Sequence, residues 1–227
     1  MRNLVRHSLA LIVMAGLSSA ITVPAMAASE TEELIVKSRL TAEKLLAHRD
    51  FSDLRDWLKK SKGVLIIPSL LRAGFLIGGS AGSGVMLSRD KDGRWSYPAF
   101  YTLTAASLGL QAGVSNAEIM LVIMSDEAMR ALIDNEVTLG GDASIAVGNQ
   151  GAGVKGATTL EFGKDIFSFS KEVGLYGGAT VEGAWVRKRE AFNAEYYGAK
   201  ATPKEILLER KFSNPGADML RAVLDIN

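Results

Sequence analysis

KGVLIIPSLLRAGFLIGGSAGSGVMLSRDKDGRWSYPAFYTLTAASLGLQAG, residues 62–113, is the stretch that decides the fold. Glycine recurs every few positions among branched and aromatic residues, and almost nothing here could do acid–base or nucleophilic chemistry. Glycine at this density lets backbones bend and approach closely, which suits a tightly curved sheet better than a catalytic cleft. Residues 64–67 form a short apolar strand run ended by Pro68. Residues 74–87 and 95–104 flank the turn Arg89-Asp90-Lys91-Asp92-Gly93, whose Asp-Gly pair signals a hairpin.

Upstream, residues 29–48 read as an amphipathic helix. Leu34, Ile35, Ala42, Leu45 and Leu46 share one face with Ser38, and Glu30, Glu32 and Glu33 occupy the first turns, where the helix dipole favours acids. A second short helix spans about residues 52–60. Leu54, Trp57 and Leu58 make its apolar stripe, and Arg55, Lys59, Lys60 and the nearby Lys62 give it a basic end. Downstream, residues 108–114 are another strand run, and residues 118–124 are nearly all apolar, as in a strand buried on both faces. Ser125 caps an expected helix with Asp126 and Glu127 in its first turn and Ala128, Met129, Leu132 and Ile133 on its buried side. Residues 137–147, 154–162, 166–171 and 175–186 are further strand candidates between glycine turns. Thr202-Pro203 opens a last helical tract, and the tail from Asn214 forms a final short helix.

No regular alternation of strand and helix appears, which disfavours a doubly wound parallel sheet. The expected fold is α+β: a curved antiparallel sheet or small β-barrel with flanking N- and C-terminal helices and one inserted helix. The chain divides into a leader (1–27), an N-terminal amphipathic helix (28–50), the main domain (51–210) and a C-terminal helical tail (211–227). In the leader, Arg2 and Arg6 precede an apolar run over residues 9–17, and Ala25-Met26-Ala27 gives a small-x-small cleavage site, the pattern of a secretory signal peptide. With no cysteine anywhere, lipid attachment and disulfides are both closed. A periplasmic or secreted protein, peripheral to the envelope membrane at most, is expected. Cleavage leaves 24 basic residues against 25 acidic ones, so no global charge draws the chain to nucleic acid.

Catalytic machinery is sparse. His48 is the only imidazole after cleavage and sits near a helix end; without cysteine, thiol nucleophiles and zinc-finger sites are excluded. The Gly79–Gly84 cluster lacks the Lys-Ser/Thr end of a phosphate loop, and a hairpin follows it where a helix would be needed. Asp142, Glu161 and Asp165 are scattered acids of no specific pattern. No enzyme activity, cofactor or metal is expected.

Residues 62–113 resemble the opening of the SYLF domain. Further matches follow in the same order: Gly93-Arg-Trp-Ser-Tyr-Pro-Ala-Phe-Tyr101, Ser107-Leu-Gly-Leu-Gln-Ala-Gly113, Leu139-Gly-Gly-Asp-Ala-Ser144, Asp165-Ile-Phe-Ser-Phe-Ser170, Gly174-Leu-Tyr-Gly-Gly178 and Tyr196-Tyr-Gly198. The resemblance covers about residues 52–208, and the leader places the chain with the secreted bacterial branch. It implies a membrane-lipid-binding module, with phosphoinositides and sometimes actin as eukaryotic partners; with the leader, neither phosphoinositide nor actin is an expected partner here. The resemblance associates lipid contact with the N-terminal amphipathic tract, which here ends at Lys62. The expected function is therefore non-enzymatic binding of anionic phospholipid or outer-membrane lipid through Arg55, Lys59, Lys60 and Lys62, with Arg72 a weaker addition. Two alternatives stay open. Leu54, Trp57 and Leu58 could simply pack on the sheet while the lysines face water. The chain could also be a structural or interaction protein of envelope integrity, adhesion or biofilm, working through a sheet edge or the aromatic tract Trp95, Tyr97, Phe100 and Tyr101, although a packed core is the plainer role for those rings.

Overall fold

The computed structural model describes residues 29–140, 145–147, 165–174, 181 and 183–226. The leader, the strand candidate 154–162 and parts of the candidates 137–147 and 175–186 lie outside the described residues, as do Asp142 and Glu161.

Two long antiparallel strands carry the architecture. β1 (Gly63–Ser88) and β2 (Ala99–Ile123) pair from Gly63↔Ile123 through to Met86↔Ala99. Pro68 does not end the first run as expected. The strand continues through it, because the register shifts between Ile67 and Leu70, and a proline in such a bulge removes no ladder hydrogen bond. A second shift lies between Gly74 and Leu76, and the expected runs 108–114 and 118–124 merge into β2. The hairpin turn forms as expected, with Gly93 at φ 82° and its N–H donating to the Asp90 carbonyl at 3.0 Å. β2 begins at Ala99, later than expected; Trp95 makes only an isolated bridge to Arg89.

The other edge of β2 is shared. β6 (Trp185–Lys188) pairs with Tyr101–Thr104, and β5 (Ile166–Gly174) pairs with Ser115–Ile123. β3 (Val137–Thr138) extends the sheet beyond β6, and β4 (Ile145–Val147) runs parallel to β5, the one departure from antiparallel pairing among the described strands.

The β1–β2 ribbon folds over on itself. The Lys62 N–H donates to the Ile123 carbonyl and the Arg89 N–H to the Lys62 carbonyl, both at 2.8 Å, so the two ends of β1 meet. Between them, a Cβ on Gly84 would lie 2.2 Å from the Ile66 carbonyl oxygen, and one on Gly82 would lie 2.5 Å from that of Ser69. The first third of β1 therefore crosses its last third backbone against backbone, an approach only glycine allows. This crossing curls the sheet into a half-barrel.

Both faces of the sheet are buried where the strand ends meet. On the inner face, Leu65, Ile67, Leu70, Tyr101, Leu103, Ile119 and Leu121 pack with α3 (Asp126–Asp134) and α5 (Pro203–Leu207). On the outer face, Val64, Ile66, Val85, Phe100, Met120 and Val122 are covered by α1 (Glu30–Leu46), α2 (Leu54–Lys60), α4 (Glu190–Tyr197) and α6 (Asp218–Leu224). The apolar run 119–123 is buried at every position, as its composition requires. Helix starts follow the expected chemistry. Ser29 forms a capping box with Glu32, Thr202 another with Glu205, and the Ser125 hydroxyl accepts from the Ala128 N–H at 3.0 Å. α4 was not legible in advance; it ends at Gly198, which is left-handed at φ 67°.

Candidate functional site

α2 is built from a buried stripe and a charged face. Leu54 and Leu58 are fully buried, and Trp57 stacks on Phe167 of β5 with ring centroids 4.2 Å apart and planes inclined by 25°. At its end the Lys59 carbonyl accepts from the Arg89 guanidinium, which ties the helix to the hairpin turn. The apolar stripe is thus committed to the protein core, the plainer of the two roles open from sequence. The opposite face carries Arg55, Lys59 and Lys60, with the exposed Asp56 among them; the three cations are exposed and in no side-chain ion pair among the described residues. Lys62 follows two residues later with its Nζ 3.3 Å from the Asp126 Oδ2, both side chains largely in water. An exposed pair of this kind contributes at most about 1 kcal/mol and leaves the ammonium available.

The structure brings four of the five expected contact residues together. Arg72 stands apart: it lies ten residues into β1, opposite Ser115, on the face shared with Leu70, and it is half-buried with partners of its own. As the weaker addition to the basic segment, it is carried away from that segment by the strand.

His48 is a structural residue. Its Nδ1 accepts from the Asp50 N–H at 3.3 Å, capping a short 3-10 turn, and its ring lies 5.1 Å from that of Phe51. The aromatic tract is core, as its plainer reading required. Phe100 and Tyr101 are fully buried, Trp95 donates its indole N–H to the Leu224 carbonyl at 2.9 Å, and Tyr97 donates to Asp218 at 2.9 Å. Burial, then that hydrogen bond, push the Tyr97 phenol above its usual range.

Between the hairpin turn and α6 lies a cleft of about 540 Å³, lined by Asp92, Arg94, Tyr97, Asp218, Arg221 and Asp225 among others. Most of its charges already answer one another. Arg94 pairs with Asp90 at 3.1 Å and Asp92 at 2.8 Å, and Arg221 pairs with Asp218 at 2.9 Å while lying 4.2 Å over the Tyr97 ring. Slight burial pushes the Asp90 carboxyl up, but the Arg94 N–H, Arg210 and the Arg94 side chain outweigh it and hold the group below the ordinary carboxylate range. This cleft is a clamp joining the hairpin to the C-terminal helix. Among the described residues, no cluster of three or more His, Cys, Asp or Glu could hold a metal, and no helix is long and apolar enough to cross a membrane.

Comparison with known proteins places this architecture. Residues 104–226 match the family model described as Ysc84, Las17-binding protein actin regulator. The chain is 37% identical over 171 residues to protein YSC84 of Saccharomyces cerevisiae, covering 74% of this chain and 36% of that protein. It is 35% identical over 173 residues to the yeast LAS seventeen-binding protein 3, covering 75% and 38%. The human SH3 domain-containing YSC84-like protein 1 is 29% identical over 169 residues, covering 74% and 49%. The chain thus spans between about a third and a half of the length of these curated relatives. On the match to more than half its length, the chain belongs to the Ysc84 family, whose shared module is the SYLF domain.

Proposed function

We propose that this protein is a non-enzymatic lipid-binding module of the bacterial envelope, acting in the periplasm or outside the cell. Its contact with anionic phospholipid or outer-membrane lipid headgroups runs through Arg55, Lys59, Lys60 and Lys62. The supporting observation is the exposed face of α2: three exposed cations in no ion pair among the described residues, on a helix whose other side is anchored, with a fourth cation, Lys62, just past its end. Because the apolar stripe of α2 is docked on the sheet, this contact is electrostatic and does not insert. Las17 and actin, named in the family description, are not assigned to this chain, whose leader pattern points out of the cytoplasm.

Vesicle co-sedimentation tests the reading. Each cation near an anionic surface contributes about 1 kcal/mol, so replacing Lys59, Lys60 and Lys62 with glutamate weakens binding by about 100-fold or more. Wild-type binding falls as salt is raised, since exposed charges are screened beyond about 10 Å at 0.1 M. Unchanged binding by the triple variant removes α2 from the function.

A further inference from the structure

The far end of the folded ribbon is unlike the rest of the surface. Residues 73–88 and 99–117 contain no Asp, Glu, Lys or Arg, and the middle of the ribbon, where β1 and β2 turn back, draws on both stretches. The outer face of the sheet, covered by helices at the strand ends, is covered by no described helix here. Leu71 is 54% exposed and Val114 64%, and they share one face two rows apart, Leu71↔Asn116 and Ala73↔Val114, on either side of the Arg72↔Ser115 row that faces the other way. On the other half, Gly79, Ala81 and Ala106 are exposed on the same face. Trp185 of β6 lies beside them, opposite Thr104, and is 55% exposed; of the three tryptophans only this one is not packed.

Charge returns at the border of this zone on both halves. One row toward the helices from Trp185, Arg187 sits opposite Thr102, and the Arg189 guanidinium donates to Ser83 at 2.6 Å. One row toward the helices from Leu71 and Asn116, Glu118 sits opposite Lys171 and pairs with Lys44. Glu136 and Glu30 answer Arg187 and Arg189. Moving outward along the sheet, the order is cations with paired carboxylates, then a tryptophan, then small and branched apolar residues. That order is complementary to a bilayer edge, in which phosphates lie outside an amphipathic belt and the acyl boundary lies within it. Lys171, in no ion pair among the described residues, leaves the border with a net positive character suited to phosphate.

We propose that the bend of the β1–β2 ribbon, with Trp185, Leu71 and Val114 as its contacts, inserts into the interfacial layer of a phospholipid bilayer. The inference rests on the lipid-binding reading above and adds to it a surface at the opposite end of the ribbon from α2. Insertion stops at the headgroup–acyl boundary: among the described residues β1 pairs only with β2, and backbone groups without partners are not tolerated in hydrocarbon.

The test uses the full chain with vesicles of phosphatidylcholine and phosphatidylglycerol, with and without bromine on the acyl chains, and tryptophan fluorescence as the readout. Bromolipid quenches the wild-type emission, the fraction that stays bound at high salt is the quenched one, and Trp185→Phe abolishes the quenching, since Trp57 and Trp95 are packed. Leu71→Asp and Val114→Asp, both at exposed positions, retain native circular dichroism and each weaken the salt-resistant partitioning about tenfold. Salt-sensitive sedimentation with no bromine quenching overturns the bend and leaves α2 as the contact. No sedimentation with any vesicle overturns both readings. A wild-type dimer in sedimentation velocity, lost in Leu71→Asp, overturns the lipid assignment in favour of a second copy of the chain.

Discussion

Gly84→Ala strikes the crossing on which the fold turns. The added methyl would sit 2.2 Å from the Ile66 carbonyl oxygen, 2.4 Å from the Ile67 Cδ1 and 3.0 Å from the Ile66 carbonyl carbon. The isoleucine tip can swing away at the cost of a rotamer. The carbonyl cannot, because Ile66 is fully buried in a strand paired at Met120 and has no room to recede. Relieving the contact means opening the crossing by about 1 Å, and overpacking of this kind costs about 3 kcal/mol in a close-packed core. For a domain of this size that lowers Tm by roughly 6–12 °C. Gly79→Ala is the matched control. It lies on the same strand and is exposed, and its Cβ would meet only the Ala105 carbonyl at 3.6 Å, so the same change there stays within about 0.5 kcal/mol. Thermal melts followed by circular dichroism measure both. Equal Tm values for the two variants would refute the argument that β1 is glycine-rich because it crosses itself.

Other consequences are as direct. Burial first, and for Tyr101 the nearby Asp134, for Tyr196 Glu32, and for Tyr197 Tyr196, push three phenols above their usual range. Their neutral forms belong to the fold, so this stability is complete below the unfolded tyrosine value of about 10 and is lost as pH rises past it; a Tm that stays flat from about pH 9 to 12 contradicts the assignment. Tyr101→Phe is neutral or slightly stabilising, because its buried hydroxyl has no hydrogen-bond partner among the described residues, and it also softens the alkaline loss. Trp57→Ala loses the stack on Phe167 and destabilises by about 1–2 kcal/mol, read in urea titration. Ser125→Ala removes the α3 cap at about 1 kcal/mol, with little effect on vesicle binding.

Much of this was legible in the chain because local chemistry and global packing agree. Ser29, Ser125 and Thr202 announce helix starts through hydroxyls that must satisfy orphan N–H groups, and those helices form. The run 118–124 announces two-faced burial by being nearly all apolar, and its residues 119–123 are buried throughout while Glu118 and Met124 at its ends are half-buried. What was not legible depends on long-range approach. Pro68 reads as a strand end because a ladder cannot use it; only the partner strand shows that a bulge absorbs it. The glycines announce curvature, whereas which segment crosses which is settled between Ile66 and Gly84, eighteen residues apart. The basic segment was visible as composition, but its amphipathic stripe suggested an insertable helix, and Phe167 takes the Trp57 face that insertion would need. Trp185 was invisible as a contact residue because its exposure follows from lying opposite Thr104 beyond the helical cover.

Folding the ribbon in half separates two kinds of surface. Both ends of β1 meet at Lys62 and Arg89, so α2 and its cations gather at that pole, while the uncharged bend lies at the other, ten or so residues of strand away and on the order of 30 Å along the ribbon. Poles that far apart along the ribbon can meet different bilayers. If each contacts lipid, one molecule joins two membranes, and at low salt the protein clusters anionic vesicles at a protein-to-lipid ratio where each vesicle carries several copies. Dynamic light scattering then shows growth in particle size. Raising salt reverses it by releasing the α2 pole, and Leu71→Asp prevents it while leaving salt-sensitive sedimentation in place. The two manipulations fail differently: clustering that survives the charge-reversed α2 variant excludes the electrostatic pole, and clustering that survives Leu71→Asp with Val114→Asp excludes the bend. Vesicles that bind protein through α2 yet never cluster would mean that only one pole faces lipid, and the uncharged bend would need another explanation.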